Sequence, residues 1–227
     1  MTPRQSVWGT MIGTLVSAGA LAYADVALPT QVLLSDYALV SGGLVPVLIG
    51  MLALAAACLC LAYGLATLDP ARTAPTRVLL VAGAAGLMMS AIFPTDPGTS
   101  QIGTVSGEIH RWSAAVVFTS LPVAGWVLAR GRAAAPGWNA VRAISVAAGA
   151  TLGIYLAAHP ASFLSPLING GGYYGMLERG VVLAEMALLI AMALAAFSGR
   201  AVARSEPVPA TQPEAEHQSQ GQERLAA

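Results

Sequence analysis

Apolar residues run through this chain in six long segments, each separated from the next by a short polar stretch containing Pro, Gly or Asp. A helix needs about 20 apolar residues to cross the hydrocarbon core of a bilayer, and every segment is close to that length. Pro and Gly at the junctions are typical of turns between helices. The pattern predicts an all-α bundle of six transmembrane helices, arranged as three hairpins, over 7–26, 42–67, 76–93, 108–129, 139–158 and 176–198.

The composition supports a membrane bundle and argues against a soluble domain. Hydrophobic residues make up 56% of the chain and charged residues only 10%, whereas soluble domains usually carry about 25% charged residues. The formal net charge of zero provides no basic surface for nucleic acid. Membrane lipids are therefore the expected partners. Cys58 and Cys60 lie inside the second apolar segment, which indicates small apolar side chains and not metal ligands.

The arginines predict how the helices are oriented. Positive residues in short loops mark the cytoplasmic side of a membrane, and most arginines fall on one side of the predicted bundle. Only Arg111 and Arg179 fall on the other. A multi-pass plasma-membrane protein with both termini in the cytoplasm follows, with these arginines inside: Arg4, Arg72, Arg77, Arg130, Arg132, Arg142, Arg200 and Arg204.

Two segments qualify this organisation. Ala22-Tyr23-Ala24 also fits a signal-peptide cleavage site, and cleavage there would leave five spans with the same orientation. After the sixth segment the chain turns to Pro, Glu, Gln and Ser, a composition that cannot bury a core. We therefore expect a transmembrane domain over 1–199 and a disordered cytoplasmic tail over 200–227.

The polar residues of the side opposite the arginines are the candidates for chemistry. Ionisable residues within spans usually face the bundle interior and mark functional paths, and Glu185 lies deep in the sixth segment. Its alternative role is that of a neutral acid bonded to a backbone carbonyl or to a hydroxyl such as that of Ser90 or Thr119. The predicted catalytic residues are Asp96, Glu108, His110 and Glu185.

Structural roles compete with these assignments. Asp96 between Thr95 and Pro97 can make an Asx turn that ends the third helix, and Glu108 in the first turn of the fourth helix favours the helix dipole. His110 and Arg111 at that same helix start need acids nearby, which Asp36 and Asp96 would supply in an ion-pair network.

A second group of polar residues is predicted to bind substrate. Arg179 would bind an anionic head group, because guanidinium pairs well with such groups. His110 and His159 both lie at the outer ends of their helices, with intervals that would allow them to meet, but neither belongs to a recognisable ligand spacing. We therefore predict no metal site and leave the cofactor open, a haem included. The predicted substrate-binding residues are Asp36, His159, Glu178 and Arg179.

Short motifs on this side also carry a resemblance. They are Ser35-Asp36-Tyr37 with Gly42-Gly43, Phe93-Pro94-Thr95-Asp96-Pro97, Gly107-Glu108-Ile109-His110, and Gly175 with Glu178-Arg179. With them the chain resembles the bacterial and archaeal membrane proteins grouped as the domain-of-unknown-function 998 family. The resemblance implies a six-helix membrane protein, supports Asp36, Asp96, His110 and Arg179 as a set, and implies no activity.

Two functions fit these observations. The first is an enzyme acting on a lipid or isoprenoid substrate at the extracytoplasmic leaflet, with Asp96 or Glu108 as general acid or base and His110 as its partner. The second is a non-enzymatic structural or transporter-associated membrane component whose outer charges form an ion-pair clasp. An enzyme requires these residues to line a cavity, whereas a clasp requires them to be paired. The oligomeric state stays open.

Overall fold

Six long helices make up the fold. The structure is a computed structural model that describes residues 2–97, 103–162 and 171–203, without the side chains of 159–162, 171–172 and 198–203. All six helices are long and apolar enough to cross a membrane, which confirms the predicted all-α class and the six spans. They are α1 Pro3–Ala27, α2 Leu44–Leu68, α3 Ala74–Ile92, α4 Val105–Ala129, α5 Pro136–Ser162 and α6 Gly171–Ala203.

Several helix ends differ from the prediction, and capping explains one of them. Helix α4 begins at Val105, ahead of the predicted Glu108, because the Thr104 hydroxyl accepts a hydrogen bond from the Gly107 N–H at 3.1 Å. Helix α5 continues past Pro160, and α6 begins at Gly171, before the predicted start at residue 176. A short 3-10 helix, Ser35–Leu39, was not predicted.

The helices pack with their neighbours in sequence, and α6 joins them in the core. Helix α1 packs on α2, α3 on α4, α2 on α3, and α4 on α5. A Cβ added at Gly125 of α4 would lie 2.8 Å from Leu188, and one at Gly64 of α2 would lie 2.7 Å from Phe197. Small residues allow this close approach of backbones within membranes. Helix α6 therefore packs against both α2 and α4.

The loops form two chemically different ends of the bundle. At the arginine end, with loops 69–73 and 130–135, guanidinium groups donate to backbone carbonyls: Arg72 Nη2 to Gly131 at 2.8 Å and Arg142 Nη2 to Ala129 at 2.9 Å. The acidic end comprises the described residues 28–43, 93–97 and 103–104 with the adjoining helix ends, and it carries carboxylates and the imidazole of His110. The candidate site belongs to the acidic end.

The chain divides into two compact units, Met1–Phe197 and Ser198–Ala227. Of the second unit the structure describes only helical backbone, which continues as far as Ala203. The remainder of the predicted tail lies outside the described residues, so its disorder stays a prediction.

We expect Gly13→Ala to destabilise the bundle, because the new Cβ would lie 2.8 Å from the backbone oxygen of Ala53 on α2. Overpacking of this kind costs about 1–3 kcal/mol. Gly19 is the matched control on the same helix, since a Cβ there meets nothing within 4 Å, and Gly19→Ala should be neutral or stabilising. Thermal unfolding of the two purified variants checks this, and equal melting temperatures would contradict it.

Candidate functional site

An ion pair holds the first loop over the acidic end. Arg179 Nη2 lies 2.6 Å from Asp25 Oδ1 and Arg179 Nε lies 3.1 Å from the same oxygen. The hydroxyl of the fully buried Tyr37 donates to that oxygen at 2.9 Å. We call Asp25, Tyr37 and Arg179 the clasp. Because it joins the end of α1, the first loop and α6, it fixes their relative positions.

Arg179 also donates to the backbone of the first loop, with Nη1 2.9 Å from the Val32 carbonyl oxygen and Nη2 3.3 Å from that of Gln31. Gly175 permits this approach, since a Cβ there would collide with the Val32 carbonyl. The guanidinium lines none of the cavities found at this end. Substrate binding by Arg179 therefore stays a prediction, while its observed contacts are those of the clasp.

The neighbouring Glu178 is buried and forms no ion pair among the described residues. Its Oε2 accepts a hydrogen bond from the Leu34 N–H at 2.7 Å, and the residue is only 6% exposed. The only ion pair found among the described residues joins Asp25 and Arg179. The expected pairing of Asp36 and Asp96 with Arg111 is therefore absent from the part of the chain that the structure describes, and Glu178 also has no ionic partner there.

The imidazole of His110 is fixed by two backbone carbonyls. Its Nδ1 lies 3.0 Å from the Ser90 oxygen and 2.9 Å from the Phe93 oxygen. Carbonyl oxygens only accept, so we assign the proton of the neutral ring to Nδ1, which leaves Nε2 with a free lone pair. His110 is buried at the acidic end, where this nitrogen is available to a ligand.

A cavity of about 240 Å³, the main cavity, brings His110 and Glu178 together. Another part of its lining, the aromatic wall, consists of three rings: those of Tyr155 and Tyr174 stack with centroids 4.7 Å apart, and Phe118 meets Tyr155 edge-on. Polar groups together with aromatic and aliphatic surface suit an amphiphilic molecule. Besides the two tyrosines, the polar side chains that line the main cavity are Ser35, Thr95, Asp96, His110, Arg111, Thr119 and Glu178.

A smaller cavity of about 70 Å³, the inner cavity, contains Glu185. Glu185 is 1% exposed, and neither its Oε1 nor the Oγ of Ser17 on the same cavity has a hydrogen-bond partner. The two hydroxyls predicted as partners of Glu185 donate to other groups. Ser90 donates to the His110 carbonyl and Thr119 to the Ala115 carbonyl. The inner cavity therefore holds a buried acid with an unsatisfied oxygen.

The carboxylate of Asp96 binds the start of α4, while the Asx turn predicted for it would involve residue 98, which lies outside the described residues. Its Oδ2 accepts from the Gly103 N–H at 2.9 Å and its Oδ1 from the Thr104 hydroxyl at 2.8 Å. The hydrogen bond from the Thr104 hydroxyl, helped by backbone N–H groups, lowers the pKa of Asp96. A Cβ on Gly107 would collide with this carboxylate. Asp96 lines the main cavity with both oxygens engaged.

Asp36 lies beside the site in the 3-10 helix. Its Oδ2 accepts from the Leu33 N–H at 3.2 Å, and its buried Oδ1 has no partner. Burial raises the pKa of Asp36, although the Leu33 N–H and the protonated form of His110 act in the opposite direction. Its neighbour Ser35, and not Asp36 itself, is among the residues that line the cavities.

The other predicted residues lie away from the cavities or outside the description. Glu108 is exposed and lines none of the cavities found here. His159 belongs to the backbone of α5, but its side chain lies outside the described residues, so a meeting with His110 stays untested. Within the described ranges no group of three or more His, Cys, Asp or Glu could hold a metal ion.

Sequence reasoning missed Ser17 and the aromatic wall. A signal for Ser17 exists, because Ser6, Thr10, Thr14 and Ser17 recur at helical spacing and are all buried, which marks the inward face of α1. Tyr155 and Tyr174 offer no such signal, since an aromatic residue near the end of a membrane helix is equally typical of an interfacial anchor.

We expect Arg179→Gln to destabilise the protein more than Arg111→Gln. The first loses the clasp and its bonds to the first loop; the second removes an arginine with no ion pair among the described residues. Hydrogen bonds to charged groups contribute about 1.5–3 kcal/mol, and the partial exposure of the pair reduces this, so we expect a loss of about 1–2 kcal/mol. Thermal unfolding measures the difference, and equal losses would contradict it.

The raised pKa of Asp36 predicts a pH dependence of stability. In the folded protein Asp36 holds its proton to higher pH than the ordinary value of 3.8. Its contribution to stability is therefore present below that value and is lost as the pH rises through the raised pKa. Asp36→Asn cannot ionise, so its melting temperature should fall less than that of the wild type over the same rise in pH. If the melting temperatures of the wild type and of Asp36→Asn fall equally as the pH rises, Asp36 does not lose its proton over this range in the way predicted.

Comparison with known proteins gives a family but no activity. Residues 9–195 match the family model described as protein of unknown function (DUF998). No curated protein and no solved structure is detectably similar to the chain. Because the match covers most of the chain, including α2 to α5 and both cavities, this integral membrane protein belongs to the DUF998 family.

Proposed function

We propose that this protein is a membrane enzyme that performs acid–base chemistry on the polar head of a lipid or isoprenoid-like molecule. The observation that supports this most strongly is the main cavity, which His110 and Glu178 line together with the aromatic wall. A catalytic acid or base must lie within reach of a bound substrate, and here two ionisable groups share one cavity. The clasp binds neither of them.

The geometry favours His110 as the general base. The Ser90 and Phe93 carbonyls hold its Nδ1–H, which orients the ring and leaves Nε2 to accept a proton. Glu178, which forms no ion pair among the described residues, serves as the acid that returns a proton to the product. Arg111 lines the same cavity and binds an anionic head.

Of the other predicted catalytic residues, Asp96 has both oxygens occupied at the start of α4. We assign to Asp96 the positioning of that helix, and through it of His110, which lies on the next turn. Glu108 lines no cavity found here, so it has no part in the proposed chemistry.

We further propose that the acidic end faces the outside of the cell. Arg72, Arg77, Arg130, Arg132 and Arg142 lie at or near the arginine end, and arginines in short loops mark the cytoplasmic side. Both termini are then cytoplasmic, and the main cavity lies at the level of the outer leaflet. Cleavage after Ala24 would cut away the helix that carries the inner cavity's Ser17, so retention of α1 is part of this proposal.

The clasp supports a second candidate, a non-enzymatic membrane component. In that function the Asp25–Arg179 pair would serve only to close the end of the bundle. The clasp and the cavity use different side chains, since none of the three clasp residues lines the main cavity. Mutation can therefore separate the two functions.

The enzyme proposal predicts that a deletion strain accumulates a lipid that the wild-type gene removes. Complementation with His110→Ala or Glu178→Gln should leave that lipid at the level of the deletion, a loss of turnover of at least about 100-fold, as for removal of a general base. Asp69→Asn, an acid-to-amide change at the arginine end, should restore the wild-type profile. Untargeted lipid profiling, normalised to protein in the membrane, measures this.

Two outcomes oppose the enzyme proposal. If His110→Ala and Glu178→Gln both restore the wild-type profile, the cavity has no catalytic role. If the deletion strain grows more slowly than the wild type with an unchanged lipid profile, and complementation with Arg179→Gln leaves growth equally slow, the clasp function is favoured.

A further inference from the structure

The inner cavity contains polar atoms that the protein itself does not satisfy. Glu185 Oε1 and Ser17 Oγ are buried without hydrogen-bond partners among the described residues. A buried polar atom that has no partner destabilises the folded protein. Both residues line one cavity, although they belong to helices at opposite ends of the sequence, α6 and α1. Such an arrangement indicates a small polar occupant.

The size and lining of the inner cavity fit water. Its volume of about 70 Å³ exceeds the roughly 10–15 Å³ that one water molecule needs on this measure. A buried water typically makes about three hydrogen bonds, and the lining offers enough polar partners. They are Ser17, Ser35, Ser90, His110, Glu178 and Glu185.

The inner cavity adjoins the main cavity and is closed on the other side. The two cavities share the residues Ser35, His110, Ala114, Phe118 and Glu178. Towards the arginine end, the core around Glu185 consists of apolar side chains such as Leu61 and Leu189, with the thiol of Cys58 among them. The two cavities meet at these shared residues, and the described core offers no polar route to Glu185 from the arginine end.

We propose that the inner cavity is a hydrated proton-relay site that connects Glu185 to His110. Glu185 is buried and forms no ion pair among the described residues, so it carries its proton. The Glu185 O–H bond gives its proton to a water molecule, and that water gives one of its own protons to His110 Nε2. The products are a carboxylate and an imidazolium, and the reverse transfer restores the carboxylic acid and the neutral imidazole.

The groups that face this relay come from each packed element. Helix α1 supplies Ser17, the 3-10 helix Ser35, α3 Ser90, α4 His110, and α6 Glu178 with Glu185, while α2 supplies only uncharged residues. The hydration itself does not depend on the proposed function. The use of Glu185 as a proton donor for His110 does rest on the proposed function. The experiment therefore measures the hydration of the inner cavity directly and needs no substrate.

Infrared spectroscopy of the purified full chain in lipid vesicles tests the relay. A protonated carboxyl gives a carbonyl band that shifts when its proton is replaced by deuterium. Glu185→Gln and Glu178→Gln assign the bands to the two acids. We expect the Glu185 band of the wild type to shift within minutes of transfer to D₂O, because water reaches the inner cavity through the main cavity.

Two matched substitutions locate the route. Ala114 lines both cavities, whereas Ala115 lines only the main cavity. Ala114→Leu should slow the exchange of the Glu185 band at least about tenfold, because the larger side chain lies where the two cavities meet. Ala115→Leu should leave the exchange fast, because residue 115 lines only the main cavity. Ser17→Ala keeps the route open but removes one partner of the water, so it should change the position of the Glu185 band without slowing its exchange.

The proposal is overturned if the wild-type Glu185 band does not exchange, or if it exchanges equally fast in Ala114→Leu. If Ala114→Leu does not fold, an unchanged Glu185 band in Ser17→Ala overturns it instead. These outcomes are independent of lipid profiling, so failure of the relay and failure of the enzyme proposal are distinguishable.

Discussion

The contact between Arg179 and Asp25 determines the architecture of the acidic end. The Arg179 guanidinium binds Asp25 at the end of α1 and two carbonyls of the first loop. The hydroxyl of the buried Tyr37 donates to the same Asp25 carboxylate. Planar guanidinium suits this role because it offers five donors in a fixed arrangement. No other ion pair among the described residues joins α6 to α1 or to the first loop.

The same contact leaves the preceding residue, Glu178, free for the proposed chemistry. With Arg179 engaged by Asp25, Glu178 has only the Leu34 N–H as a described partner, and that N–H is positioned by the loop that the clasp fixes. A buried acid without a counter-charge is costly to ionise, and such groups are typical of functional sites. Arg179, which belongs to the clasp, and Glu178, the candidate acid, are thus adjacent residues on one turn of α6.

Sequence alone predicted much of the fold and part of the site. Helix number follows from apolar length, because only a run of that length spans a bilayer. Glu185 was identified because ionisable side chains within apolar helices are rare, and His110 because it lies at the outer end of its helix among other polar residues. The partners of each group could not be predicted, since they depend on distant backbone: Asp96 bonds residues seven and eight positions later, and Arg179 bonds Asp25 across most of the chain.

The central claim is that the main cavity binds an amphiphilic molecule, and native mass spectrometry of the purified full chain tests it most directly. Ala115→Trp would fill the main cavity, while Ala147→Trp adds the same ring at an exposed position of α5. The account predicts one lipid-like molecule bound to the wild type and to Ala147→Trp, and its loss from Ala115→Trp. Equal binding by all three proteins would contradict it.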